Sequence, residues 1–170
     1  MSIPRDPAIN PQVATPDIRI EPVRWGDIAG VADIQRESFR PTLAYGRLAL
    51  IMLKILPGAR FFVARTSELN VAGCVIGDVH KGNARVMNIA VHPRARRQGV
   101  GATLLRHIEQ EIPTGNVVLV AEEHNTAAQA LYKREGYIRE GIANNYYGRN
   151  RHGIWMKKVR TQTPDTTIRV

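Results

Sequence analysis

At 170 residues with 44% hydrophobic side chains, the chain is long enough for one domain with a substantial core. Its uncharged apolar runs stay short of the roughly 18 residues that cross a bilayer, and no apolar signal core follows the start, so a cytoplasmic protein with no membrane partner is expected. The net charge of +9 favours anionic partners in general, and a single cysteine, Cys74, rules out an intramolecular disulfide and a cysteine-rich zinc site.

Residues 1–17 hold Pro4, Pro7, Pro11 and Pro16 with few large apolar side chains, so they are expected as a disordered tail. The stretch 160–170, with Pro164 and repeated threonines, is expected to behave alike. Residues 18–159 read as the folded unit, without internal repeats. Ile18-Arg19-Ile20-Glu21-Pro22-Val23 alternates as a strand, and Asp27 precedes Ile28, Val31 and Ile34, spaced for one helical face. Leu43–Leu56, dense in Leu, Ile and Met, predicts a second, half-buried helix that Pro57-Gly58 ends.

Phe61–Ala64, Val71–Val79 and Val86–Val91 are separated by turns containing Asn70 and Lys81-Gly82-Asn83, a pattern that predicts an antiparallel meander. Cys74 falls in the second of these stretches as a buried, inert thiol. Beyond His92-Pro93, the residues Val100, Leu104, Leu105, Ile108 and Ile112 form the stripe of an amphipathic helix, and Val117–Ala121 forms a strand. A strand, helix, strand order favours parallel pairing. Asn125 can cap a helix Thr126–Glu135, which Gly136 terminates in a left-handed conformation. Tyr137–Ile142 and Gly153–Lys157 predict two final strands.

Chemistry concentrates at Arg96-Arg97-Gln98-Gly99-Val100-Gly101, between a strand and the first turn of a helix, where backbone N–H groups lack intrahelical partners. The helix dipole, a nest of loop amides and the arginines together make an anion site, and Gly99 and Gly101 would let a phosphate touch the backbone. A glycine turn beside a solvated basic patch reads the same way when taken alone. Neither a Gly-x-x-x-x-Gly-Lys-Ser/Thr loop nor the third glycine of a dinucleotide site is present. His80, His92, His107, His124 and His152 lie scattered without ligand spacing, so no metal is expected.

Arg96-x-x-Gly99-x-Gly101, preceded by Met87-Asn88-Ile89-Ala90-Val91-His92-Pro93, resembles the coenzyme A signature of the GNAT superfamily of acyl-CoA-dependent N-acyltransferases. Asn125-Thr126-Ala127-Ala128-Gln129-Ala130-Leu131-Tyr132, closing with Gly136-Tyr137, resembles that superfamily's second block. The resemblance implies an α+β fold: a mixed, mostly antiparallel central sheet of about six to seven strands, helices on both faces, and a splay between the fourth and fifth strands. It implies acetyl-CoA as cosubstrate, with the backbone of Ile89, Ala90 and Val91 pairing with pantetheine. The amides of Arg96, Arg97, Gln98, Gly99, Val100 and Gly101 would hold the pyrophosphate. Asn125 would contact pantetheine, and Tyr132 would serve as general acid beside the sulfur; a plain helix cap and a core aromatic are the other readings of these two.

Asn145-Tyr146-Tyr147 and His152-Gly153-Ile154-Trp155-Met156 resemble the last hairpin of the branch that acetylates protein N-termini, including the ribosomal-protein alanine N-acetyltransferases. There Tyr146 and Tyr147 would flank an acceptor peptide, although an aromatic hairpin packing on itself fits equally. The expected reaction is direct acetyl transfer in a ternary complex to a primary amine, a protein N-terminal α-amine or a lysine. A small-molecule amine acetyltransferase is the alternative, and an RNA- or ribosome-binding protein with a regulatory coenzyme site ranks behind both, because no aromatic RNP strand or Gly-x-x-Gly loop is found. Val120 stands where related enzymes often carry a basic Glu or His, so Glu122, two residues on along the same strand face, is the candidate proton relay. A solvated acidic loop formed by Glu122 and Glu123 is the competing reading.

Overall fold

The computed structural model describes residues 17–160, so the two expected tails lie outside it except for Asp17 and Arg160. The elements in chain order are β1 (Arg19–Pro22), α1 (Ile28–Ser38), α2 (Arg47–Ile55), β2 (Arg60–Arg65), β3 (Gly73–His80), β4 (Asn83–Val91), α3 (Val100–Glu111), β5 (Val117–Glu122), α4 (Thr126–Arg134), β6 (Ile138–Ala143) and β7 (Gly153–Lys158). They build a seven-stranded sheet in the order β1-β2-β3-β4-β5-β7-β6. The pair β4–β5 is parallel and every other pair is antiparallel.

Two apolar layers hold the helices on opposite faces. Val100, Leu104, Leu105 and Ile108 of α3 bury against Phe62, Val75, Leu119 and Met156. On the other face Ile28, Val31 and Ile34 of α1 pack over Val63, Cys74, Ile76 and Ala90. Each aliphatic side chain so removed from water contributes roughly 1.5–3 kcal/mol. Arg65, itself buried, joins Asp27 at 3.0 Å and Glu21 at 2.9 Å, and so ties the β1–β2 edge to the start of α1.

Some element boundaries differ from those expected. Lys81 (φ 48°) and Gly82 (φ 74°) both adopt left-handed conformations between the paired residues His80 and Asn83, so β3 and β4 meet in a two-residue hairpin and β4 begins before Val86. The second helix starts only at Arg47, because residues 40–46 are spent on turns closed by Leu43 N–H and Ala44 N–H donating to Arg40 O. It is also less buried than expected: Leu50 is enclosed, while Leu48, Met52, Ile55 and Leu56 are exposed.

Cys74 is fully enclosed, with Gln35 Nε2 donating to its sulfur at 3.5 Å, and burial pushes the thiol up to about 12. A thiol in that state is neither nucleophilic nor reachable. Maleimide at pH 8 should therefore leave the native protein unlabelled and add one label in denaturant, as read by intact mass. Labelling of the native protein at the rate of a free thiol would contradict this.

Candidate active site

The site is made where β4 and β5 part. Their pairing runs Ala84–Val117, Arg85–Val118 and Val86–Leu119, then stops, leaving Met87–Val91 and Val120–Glu122 unpaired with each other. The cause lies on the other edge of β4. Ile76 faces Asn88 while Gly77 faces Val86, so Met87 is an extra residue, and such a bulge bends and twists its strand. Gln35 and Asn88 exchange side-chain amide bonds at 2.7 and 3.3 Å immediately beside the bulge.

Alternation then decides which backbone groups line the opening. His92 N–H donates to Ala72 O at 2.9 Å, and Ala90 pairs with Cys74, so the polar groups of Ala90 face β3. Those of Ile89 and Val91 face the opening. The expectation that Ile89, Ala90 and Val91 are all available is corrected to Ile89 and Val91 alone. On the opposite wall Glu123 N–H donates to His152 O, so the backbone of Leu119 and Ala121 is turned to β7 and that of Val120 and Glu122 to the opening. Val120 O accepts a hydrogen bond from the Tyr147 hydroxyl at 2.7 Å.

The mouth of the opening leads to the N-terminus of α3. Thr103 N–H is the first to reach a carbonyl within the helix, that of Gly99, which leaves the N–H groups of Val100, Gly101 and Ala102 without intrahelical acceptors. Among the described residues, no side chain caps this end. Arg97 (φ 61°) and Gly99 (φ 87°) are both left-handed around Gln98, folding the loop back over the helix end. Gln98 Nε2 braces it on Arg94 O at 2.8 Å, and Arg96 Nε reaches Val91 O at 3.3 Å. Free amides, the dipole of a twelve-residue helix and the charges of Arg96 and Arg97 converge there. Gly101 also has a packing reason. A Cβ there would meet Leu131 Cδ2 at 3.2 Å and Val91 Cγ2 at 3.6 Å, so it lets α3 approach α4 and β4.

Asn125 caps α4, its Oδ1 accepting from Ala128 N–H at 3.0 Å, and Gly136 (φ 91°) ends the helix as expected. Tyr132 is 5% exposed and its ring lies 5.8 Å from that of Tyr137. Burial pushes the Tyr132 phenol upward, so it stays protonated. The Tyr137 hydroxyl is held by Glu109 at 2.8 Å and that of Tyr147 by Val120, whereas the Tyr132 hydroxyl is paired with nothing among the described residues.

Val117, Leu119 and Ala121 point into the α3 layer, so Val118, Val120 and Glu122 occupy the opposite face of β5. Glu122 is not a solvated loop residue: Oε1 receives both Nε and Nη2 of Arg151, at 3.0 and 2.5 Å. Tyr146 and Tyr147 stack edge to face at 4.9 Å, and Tyr146 meets Trp155 at 6.1 Å. The hairpin thus packs on itself while its tip borders the opening. Across from it the Ser38 hydroxyl at the end of α1 lies 3.5 Å from Val91 O. Sequence reasoning missed Arg151 and Ser38, since nothing local marks an arginine or serine that meets its partner only through the fold. Among the described residues, no three His, Cys, Asp or Glu side chains are grouped to hold a metal, and no helix is long and apolar enough to cross a membrane.

Comparison with known proteins agrees with this arrangement. The family model described as an acetyltransferase (GNAT) domain matches residues 57–139. A Salmonella typhimurium ribosomal protein bS18-alanine N-acetyltransferase is 38% identical over 85 residues, which is 48% of this chain and only 57% of that protein. A Bacillus subtilis protein provisionally given the same name is 37% identical over 131 residues, 75% of this chain and 85% of its own length. The crystal structure of the Escherichia coli ribosomal-protein-S18-alanine N-acetyltransferase superposes with a TM-score of 0.74 at 23% identity, covering 88% of this chain and 97% of that one. With a seven-stranded sheet opened between its one parallel pair and a relative matched over most of both lengths, the chain belongs to the GNAT acetyltransferase family.

Proposed function

We propose that the protein transfers an acetyl group from acetyl-CoA to a primary amine, and that the acceptor is the α-amine of a protein N-terminus. The observation that carries this reading is a strand edge left unpaired on β4, with the outward backbone groups of Ile89 and Val91, together with the free amides that open α3. A pantetheine arm needs such a strand edge, and a pyrophosphate needs such a helix end. Ile89 and Val91 supply the edge, while Arg96, Arg97, Gln98, Gly99, Val100 and Gly101 form the cradle. Asn125 keeps its Nδ2 donor for the arm while Oδ1 caps α4.

The amine attacks the thioester carbonyl, so a C–N bond forms and the C–S bond breaks. N–H groups of the β4 edge stabilise the charge on the carbonyl oxygen. Tyr132 gives its proton to the departing sulfur and is reprotonated from solvent as coenzyme A leaves, and the proton lost by the amine passes to Glu122 through water. Arg151 holds one Glu122 oxygen and leaves the other for that task. An α-amine, with a pKa of about 8, is partly neutral at physiological pH, whereas lysine at about 10.4 is almost wholly charged, so a modest base suits an N-terminus better. Relatives named for an alanine N-terminus support the same acceptor class.

Acetyl-CoA turnover against peptide N-termini, lysine peptides and polyamines tests the reading. Turnover of N-terminal peptides in preference to the others is expected, and selective use of polyamines would overturn the acceptor class. Glu122→Gln should lower kcat/KM by about tenfold at every pH, because the relay is lost even when the amine arrives neutral. Full recovery of the variant at high pH would remove Glu122 from the mechanism.

A further inference from the structure

Beside the opening lies a groove of about 550 Å³ between the end of α1 and the start of α2, lined by Ala32, Arg36, the 41–46 turn with Tyr45, and Arg47. The Ser38 hydroxyl, two residues past Arg36, lies 3.5 Å from Val91 O and 3.5 Å from Arg96 Nη2, so α1 ends on the rim of the β4–β5 opening. Tyr45 packs against the layer that includes Met87, the bulge residue of β4. Burial pushes its phenol upward.

The charge lining this groove is one-sided. Among the described residues, none that lines the groove is acidic. Arg36 shares Asp33 on its own helix, but Arg47 pairs with no carboxylate among the described residues. Arg85 and Arg151, by contrast, are already matched, with Asp78 at 2.5 Å and Glu122 at 2.5 Å. The unmatched guanidinium belongs to the exposed first residue of α2, in the lining of the groove. Guanidinium groups bind carboxylates in a planar fork, and the side chains of Pro41, Ala44 and Tyr45 in the lining give that carboxylate's stem an apolar bed.

We propose that this groove takes an acidic side chain, Asp or Glu, from one of the first residues after the acceptor's α-amine, with Arg47 as the specificity-determining residue and Arg36 supporting it. The inference rests on the reading that the acceptor is a peptide N-terminus. It selects among such peptides: sequences opening Ala-Glu-Glu are preferred over Ala-Gln-Gln, and Ala-Lys-Lys is disfavoured by like charge.

The test uses three peptides identical except for these openings, with the full-length protein and acetyl-CoA. The Glu peptide should exceed the Gln peptide by about tenfold in kcat/KM, chiefly through KM, and added salt should shrink the ratio because the groove is open to solvent. Arg47→Ala should collapse the ratio towards one, and Arg47→Glu should invert it in favour of the Lys peptide. Equal use of the three peptides by the unmodified protein, or a ratio untouched by both variants, overturns the assignment. Binding of the fluorescein-labelled peptides in the presence of coenzyme A is measured in parallel. Glu-selective binding that depends on Arg47, without turnover of any peptide, would support the groove and defeat the acceptor reading. Equal binding of the Glu and Lys peptides would defeat the groove whatever the turnover.

Discussion

Gly99→Val should raise the dissociation constant for coenzyme A by about a hundredfold or more while leaving the fold intact. Gly99 sits at φ 87°, a conformation that costs an L-residue roughly 1–2 kcal/mol and a β-branched one more. The loop relieves that strain by rotating out of it, which turns the amides of Gln98, Val100 and Gly101 away from a common focus. Loss of several convergent donors to a doubly charged pyrophosphate adds to the strain itself. Packing is spared, since a Cβ at this position would approach only Ile18 Cδ1, at 3.9 Å. Isothermal calorimetry with coenzyme A on protein of unchanged circular dichroism decides the matter, and an unaltered affinity would remove the loop from the cofactor site. Gly101→Val makes the instructive comparison. Its Cβ meets Leu131 at 3.2 Å, so it should lower the melting temperature as well as affinity, because α3 and α4 are forced apart.

Tyr132→Phe should lower kcat by about a hundredfold with coenzyme A affinity changed by less than about twofold. The ring is enclosed and stays so in the variant, and only a hydroxyl that binds nothing else in the described chain is removed. Burial holds the phenol protonated well above its ordinary range, so across accessible pH it is a donor. The kcat profile should then show no descending limb near pH 10, the place where an unperturbed tyrosine would titrate. Single-turnover measurements isolate the chemical step. A variant with full single-turnover rate would leave Tyr132 with a packing role alone.

Elements whose cause is local were legible before the structure was known. The stripe Val100, Leu104, Leu105, Ile108 is periodic in itself, the Asn125 cap needs only the amide three residues on, and Gly136 stops α4 through its own backbone freedom. The loop proposed to hold an anion was legible for the same reason, since glycines, arginines and a helix start are contiguous. The second helix was read too long because the apolar density of Leu43–Leu56 resembles a helix throughout. Its first residues instead serve turns that close back on Arg40.

What the tertiary structure decided concerns partners distant along the chain. Whether Ile89, Ala90 or Val91 offers its backbone depends on which register β3 imposes, and a strand's own residues do not record the neighbour's pairing. The opening itself follows from a bulge at Met87, which exists only relative to Ile76 and Gly77. Glu122 read alone is either a base or a loop charge; with Arg151 against it, it is a carboxylate held by one oxygen. Gly101 read alone serves a phosphate, yet its missing Cβ is demanded by Leu131 of a later helix. The sequence by itself determined most of the elements, the candidate anion loop and the family, because backbone propensity, hydrophobic period and short motifs act over a few residues. Strand register, ion pairing and helix-to-helix approach act across dozens, and they determined how those parts face one another.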